Sequence, residues 1–179
     1  MRVISGQKRG KKLETLKGDA VRPTTDKVKE SVFNIIQFDV VGSSFLDLFA
    51  GSGQIGIEAL SRGACTATFV DVSKDSINVV KKNLVSADLS ENAVVMLSDA
   101  LRFLKITGEK FDIAFLDPPY NSNLLKNILP LLPSIMSEKG IIICEYSVGD
   151  DLPADFANFQ LSKVYKYGKI ALSVYRVKK

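Results

Sequence analysis

From residue 44 onward the chain alternates between two hydrophobic patterns. Short, nearly continuous apolar runs at 45–49, 67–72, 93–97, 111–116 and 141–146 read as strands buried on both faces. Between them, apolar positions recur at helical spacing over 55–62, 74–87, 100–106 and 124–136, the last interrupted by Pro130 and Pro133. Such alternation predicts a parallel sheet with helices on both faces. The end of the chain departs from it. Strand-like runs at 159–165 and 170–177 are joined only by Lys166 to Lys169, with Gly168 inside the join. That length forbids a crossover helix, so the last two strands pair antiparallel. The expected fold is a doubly wound α/β sheet of seven mostly parallel strands, closed by an antiparallel C-terminal hairpin, in a single structural domain.

Before residue 44 the pattern is sparse. Val3, Ile4, Leu13 and Leu16 stand among Gly6, Gly10, Gly18 and several lysines, which suits short strands or a loop. Proline excludes the helical conformation from the residue before it, so Arg22-Pro23 is extended. Thr24 or Thr25 can then cap a helix with Asp26 in its first turn and Val28, Val32, Phe33, Ile35 and Ile36 on its apolar face. Residues 1–43 are thus read as an N-terminal arm with a first helix, and residues 44–179 as the sheet domain.

Charge gives the arm a meaning. Residues 1–29 hold nine Lys or Arg against Glu14, Asp19 and Asp26, a balance of +6, so the rest of this +4 chain sums to −2. A basic extension on a near-neutral domain points to a polyanionic partner, with a solubilising tail as the plainer alternative. The 179 residues fit one domain, and no run approaches a membrane span. Cys65 and Cys144 are far apart and lack partners at metal-ligand spacing, so both read as reduced core thiols, no metal is expected, and the cytoplasm is the natural compartment. The chain has no histidine, which removes every mechanism built on imidazole. Chemistry falls to carboxylates, backbone groups, aromatic rings or a cofactor.

The first strand runs into Asp47-Leu48-Phe49-Ala50-Gly51-Ser52-Gly53-Gln54-Ile55-Gly56. Gly51, Gly53 and Gly56 satisfy the dinucleotide-binding spacing, and Asp71 follows Gly51 by twenty residues. The turn alone fits any nucleoside-binding sheet of this class. Asp47 favours S-adenosylmethionine, because a carboxylate there suits the ammonium of a methionine moiety and would repel a pyrophosphate. It can also serve simply to cap the glycine turn. Asp71 ends the second strand, where an acid can accept from ribose hydroxyls or cap the next helix, though Ser73 could do the latter. Asp99, after the third strand, reads equally as an adenine contact and as a helix cap.

Asp117-Pro118-Pro119-Tyr120 follows the fourth strand, at the edge where open parallel sheets bind ligands. By composition such a tetrapeptide arises by chance on the order of once in a thousand chains of this length. An amine on an aromatic base is a poor nucleophile, since its lone pair is delocalised into the ring. The Asp117 carboxylate and the Pro118 carbonyl, stiffened by Pro119, can each accept one amine hydrogen and aim the nitrogen at a methyl group. Tyr120 offers a ring on which an unpaired base can stack.

These segments, with Glu58-Ala59-Leu60-Ser61-Arg62-Gly63-Ala64, Arg2-Val3-Ile4-Ser5-Gly6, Arg9-Gly10-Lys11-Lys12-Leu13 and Arg22 to Glu30, resemble the ribosomal RNA small-subunit methyltransferase D family over essentially the whole chain. The resemblance implies a class I, Rossmann-like methyltransferase fold and guanine-N2 methylation of small-subunit (16S) ribosomal RNA, within an assembling subunit. It implies a catalytic loop at Asp117, Pro118, Pro119 and Tyr120, and S-adenosylmethionine held by Asp47, Phe49, Gly51, Gly53, Asp71, Val72, Asp99, Ala100 and Asp117. RNA contact then falls to Lys8, Arg9, Lys11, Lys12 and Arg22. Asp71 stands where the family is expected to carry glutamate.

Other readings fit less of the chain. A nicotinamide-dependent oxidoreductase leaves Asp117-Pro118-Pro119-Tyr120 without a task and must move protons without histidine. A nucleic-acid-binding module without catalysis does not need the intact glycines and acids. An N-methyltransferase acting on DNA, on a protein amide or on another RNA keeps the same chemistry, but reading a DNA sequence generally needs a recognition domain. A C5-pyrimidine enzyme needs a nucleophilic cysteine beside its substrate, and neither Cys65 nor Cys144 stands at the expected site.

Overall fold

The computed structural model describes residues 1–16, 25–119 and 123–178. Eight strands form one sheet: β1 (Ser44–Asp47), β2 (Thr66–Asp71), β3 (Ala93–Leu97), β4 (Phe111–Leu116), β5 (Met136–Ser147), β6 (Asp155–Phe156), β7 (Phe159–Tyr167) and β8 (Ile170–Val177). Their order is β3-β2-β1-β4-β5-β8-β7-β6. The first five pair in parallel, while β8 runs antiparallel between β5 and β7. The parallel core and antiparallel hairpin match the expected fold. The strand count is eight rather than seven, the addition being the two-residue β6 paired to the start of β7.

Among the described residues five α-helices flank the sheet: α1 (Asp26–Ile35), α2 (Gln54–Ser61), α3 (Lys74–Ala87), α4 (Ala100–Ile106) and α5 (Leu124–Ile128). One core holds Val32 and Phe33 of α1, Ile57 of α2 and Val80 of α3 against Phe45, Phe69, Phe115 and Ile143. The other holds Phe103 of α4 and Ile128 of α5 against Leu46, Val70, Leu116 and Cys144. Strand side chains alternate between these cores, which is why the runs read as continuously apolar. Thr25 caps α1 by accepting from the Val28 N–H at 3.4 Å. The expected helix over 124–136 is shorter than its pattern. It is α5 followed by a 3-10 stretch, Leu129–Ile135, with proline at its start and Pro133 inside; proline lacks the donor an α-helix needs.

Between β5 and β7, which run the same way, the chain returns along the sheet through residues 148–158 without a helix. Leu152 and Phe156 anchor this return on the second core, and the Tyr175 hydroxyl donates to the Pro153 carbonyl at 2.9 Å.

The N-terminal residues fold onto the domain. Val3 and Leu13 are buried in the first core, and Arg2 bridges Lys12 antiparallel. Glu58 of α2, fully buried, accepts from the Ile4 and Ser5 amides at 2.8 and 2.9 Å and from Arg62 Nε at 2.8 Å. The buried Lys29 ammonium lies 3.7 Å from the same carboxylate and donates to the Arg2 carbonyl at 2.6 Å. Burial lowers the Lys29 pKa, with a smaller contribution from the Arg62 charge, against the opposing effects of Glu58 and Asp26. A charge pair this deep holds only because its remaining hydrogen-bonding capacity is filled.

Candidate functional site

The strands β1, β2 and β4 end side by side, and the chain leaving β1 turns at once into α2. Gly53 caps α2 with φ 78, a left-handed conformation, and a Cβ there would press on Val80. A Cβ on Gly56 would overlap the Phe69 ring, so only glycine lets α2 lie this close to β2. Without a side-chain cap, α2 takes its cap from the sheet: Gly56 N–H donates to Asp47 Oδ2 at 3.0 Å. Asp71 ties the same turn to β2. Its Oδ2 accepts from Gly51 N–H and its Oδ1 from Ser73 N–H, both at 2.8 Å. Ser73 caps α3, and Asp99 caps α4 by accepting from Arg102 N–H at 3.0 Å. The capping readings of Asp47 and Asp99 are therefore realised, while Asp71 is a brace for the glycine turn rather than a helix cap.

These geometries fit the expected cofactor. Asp47 is 2% exposed, and desolvation pushes its carboxyl up to about 7, with the nearby Asp117 and Asp71 charges adding to the rise and the Gly56 hydrogen bond opposing it. A cation would restore its charge, and an α-ammonium is one. Each Asp71 oxygen keeps a second lone pair beyond its amide bond, enough for a ribose hydroxyl. Val72 and Leu97, just past β2 and at the end of β3, are 73% and 55% exposed, an apolar surface of the kind an adenine ring covers. Phe49 is half-buried beside the turn and Ala100 opens α4, buried.

Asp117 directly follows β4, where strand alternation puts it on the face of Phe115. Pro118 is buried and Pro119 exposed. Together the prolines line an open pocket bounded also by Asn123, Leu124, Glu145 and Tyr146. Tyr120 lies outside the described residues, as do Arg22 and the Thr24 alternative for the cap. Asp47, Gly51, Gly53, Asp71, Val72 and Asp117 thus gather at one edge of the sheet.

Among the described residues, Lys8, Arg9 and Lys11 do not join them. The N-terminal hairpin lies along α2, its ends near the glycine turn, where Asn83 donates to the carbonyls of Ser52 and Glu14 at 2.9 and 3.1 Å. Its tip lies at the far end of α2, where Gln7 and Lys8 amides donate to Ser61. Lys8 pairs there with Asp88 at 3.2 Å, while Arg9, Lys11 and Lys12 are exposed. The eight residues of α2 set the tip about 12 Å from the glycine turn at 1.5 Å per residue.

Cys144 is buried, with its thiol pushed far up by desolvation, and Cys65 is exposed rather than a core residue as expected, at the end of the four-residue link between α2 and β2. Sequence reading also passed over Asn83 and Glu145. A polar residue on the buried side of α3 and an acid inside an apolar strand were the available signals. Among the described residues no helix is long and apolar enough to cross a membrane.

Known proteins give the same frame. The family described as conserved hypothetical protein 95 matches residues 1–176. YlbH of Bacillus subtilis (strain 168) is 41% identical over 181 residues, covering 98% of each chain. Ribosomal RNA small subunit methyltransferase D of Escherichia coli (strain K12) is 36% identical over 178 residues, covering 98% of this chain and 89% of that one. The solved structure of YhhF from Escherichia coli superposes with a TM-score of 0.87 at 36% identity, over 99% of this chain and 98% of the other. On matches of this length and identity, the chain belongs to the RsmD family, that of ribosomal RNA small subunit methyltransferase D.

Proposed function

We propose that this protein is an S-adenosylmethionine-dependent methyltransferase that modifies the exocyclic N2 amine of a guanine in small-subunit ribosomal RNA. The observation that carries this reading is the pocket lined by Pro118 and Pro119, next to the strand ends that hold Asp47, Asp71 and Asp117. The names of the Escherichia coli and Haemophilus influenzae relatives, ribosomal RNA small subunit methyltransferase D, support the substrate class.

When bound, S-adenosylmethionine supplies an electrophilic methyl on a sulfonium, an intrinsically good leaving group. The protein's task is then alignment. Asp47 would hold the ammonium and Asp71 the ribose, Val72 and Phe49 would flank the nucleoside, and Asp99 with the start of α4 at Ala100 would border the adenine. Asp117 and the Pro118 carbonyl accept the two amine hydrogens and turn the nitrogen lone pair away from the ring, toward the methyl. Asp117 also stabilises the positive charge that develops on nitrogen. Tyr120 stacks on the base. A domain with so little reading surface takes its specificity from the shape of a large structured RNA, and the basic tip one helix length away suits a phosphate contact remote from the target.

Nucleoside mass spectrometry of small-subunit rRNA, from cells with and without the gene, tests the reading. One N2-methylguanosine should vanish on deletion; an unchanged profile, or loss of a different modification, overturns it. A second expectation concerns the tip. Replacing Lys8, Arg9, Lys11 and Lys12 with Ala should weaken RNA binding and flatten its salt dependence by about 0.7–0.9 log units per lost phosphate contact. Lys8 should contribute least, because Asp88 already pairs it. A filter-binding series from low to high salt reads the slope directly, and an unaltered slope would remove the tip from the RNA interface.

A further inference from the structure

Glu145 has no part in the alignment described above, yet it stands at the same pocket. It is 1% exposed, interrupts the apolar strand β5 after Cys144, and lines the pocket with Pro118, Pro119 and Tyr146. The β4–β5 register pairs Phe115 with Ile143 and Leu116 with Cys144. The next step of the parallel ladder brings Asp117 level with Glu145, and strand alternation sends both to the face of Phe115 and Ile143. Two carboxyl groups therefore stand level on one face of the sheet, Asp117 just past the end of β4 at the catalytic loop and Glu145 two residues before the end of β5.

Resting on the proposed methylation of a base amine by the Asp117 loop, we infer that Glu145 is the specificity-determining residue that accepts the ring N1–H of the target guanine. Among RNA bases that carry an exocyclic amine, guanine alone has a ring N–H beside it. Adenine N1 and cytosine N3, the ring nitrogens next to their amines, carry lone pairs instead. With Asp117 and the Pro118 carbonyl on the two amine hydrogens, the neighbouring ring position falls to the next acceptor along the sheet edge. A guanine can donate to that carboxylate. Adenine or cytosine would set two acceptors against each other away from water, at the cost of an unmade buried hydrogen bond. The pocket thus selects guanine through a donor that the other two bases lack.

The test uses a structured RNA substrate with the target guanosine in place or replaced by 2-aminopurine riboside, which keeps the 2-amine but has no hydrogen on N1. Wild-type protein should prefer guanosine in kcat/KM by on the order of 10³-fold or more, as sites built around a hydrogen bond reject analogues lacking it. 2-Aminopurine also lacks the O6 carbonyl, so the deciding quantity is how the ratio changes in Glu145→Gln. That variant keeps the shape and supplies an N–H₂ that can donate to the unprotonated N1. It should lose guanosine activity by roughly 10- to 100-fold, the worth of a hydrogen bond to a charged group. The preference ratio should shrink by at least tenfold, with S-adenosylmethionine affinity within several-fold of wild type as the measure of an intact fold. Equal use of both RNAs by the wild type, or an undiminished ratio in Glu145→Gln, overturns the role of Glu145 and leaves guanine methylation standing. Transfer to adenosine and not to guanosine in the wild type overturns both.

Discussion

Asp117→Ala should lower the rate of methyl transfer by on the order of 10³-fold, the scale seen when one group that stabilises transition-state charge is removed. Tyr120→Ala should lower it by up to about 10²-fold, matching a stacking contribution of roughly 1–3 kcal/mol. Both variants should keep cofactor affinity within several-fold, because the glycine turn is braced by Asp71 and capped by Asp47 rather than by the loop after β4. Isothermal titration with S-adenosylmethionine beside single-turnover transfer to RNA separates the two effects. Complete loss of cofactor binding in Tyr120→Ala would contradict its assigned place at the base. Asp117→Ala has a further signature. It removes one of the charges that raise the Asp47 pKa, so cofactor binding should persist to lower pH than in the wild type.

Asp47→Asn should weaken cofactor binding by about 10- to 100-fold, the loss of one charge-assisted hydrogen bond, and at the same time stabilise the cofactor-free protein. The two effects have one origin. The folded protein holds the Asp47 proton up to a pH of about 7, against a usual carboxyl value of 3.8, chiefly because the group is desolvated. Between those values the folded state binds more protons than the unfolded one, so stability falls as pH rises, and above about 7 the loss is complete. At 1.36 kcal/mol per pKa unit its ceiling is about 4 kcal/mol. Asn at this position still accepts from Gly56 and carries no charge to desolvate. Denaturant unfolding at pH 8 should show the variant more stable than the wild type, with the difference shrinking toward pH 4. Cofactor affinity of the wild type should decline below pH 7 by up to about tenfold per unit, since the ammonium needs the ionised carboxylate. A flat affinity profile from pH 8 to 5 would remove Asp47 from the ammonium site.

The order of elements was legible because the central strands β1, β2, β4 and β5 are buried on both faces while α1 and α3 are buried on one, which leaves distinct periodicities. The cleft was legible for a related reason. Asp47, Asp71, Asp99 and Asp117 each stand at or just past a strand's carboxyl end, and a parallel sheet puts all such ends on one edge. What the pattern could not reveal depends on contacts between distant segments. The N-terminal lysines read as a free arm because their anchors, Val3 and Leu13, are two apolar residues among many polar ones. Their docking rests on Glu58, whose acid inside an apolar helix acquires meaning only once Lys29 and the Ile4 and Ser5 amides surround it. The two-residue β6 carries too little pattern to register. The helix over 124–136 was overread because apolar spacing survives in a 3-10 turn while proline removes the α-helical hydrogen bonds.

The carboxylate of Glu58 lies 54 positions downstream of the Ile4 amide that it accepts from. These residues are thus made before the carboxylate that holds them and are among the last able to settle. They must wait until α1 has delivered its lysine and α2 has formed against a finished β1–β2 pair. The basic tip acquires its shape only in a chain whose α1 and α2 are already in place, so a half-made copy presents its lysines as a loose string.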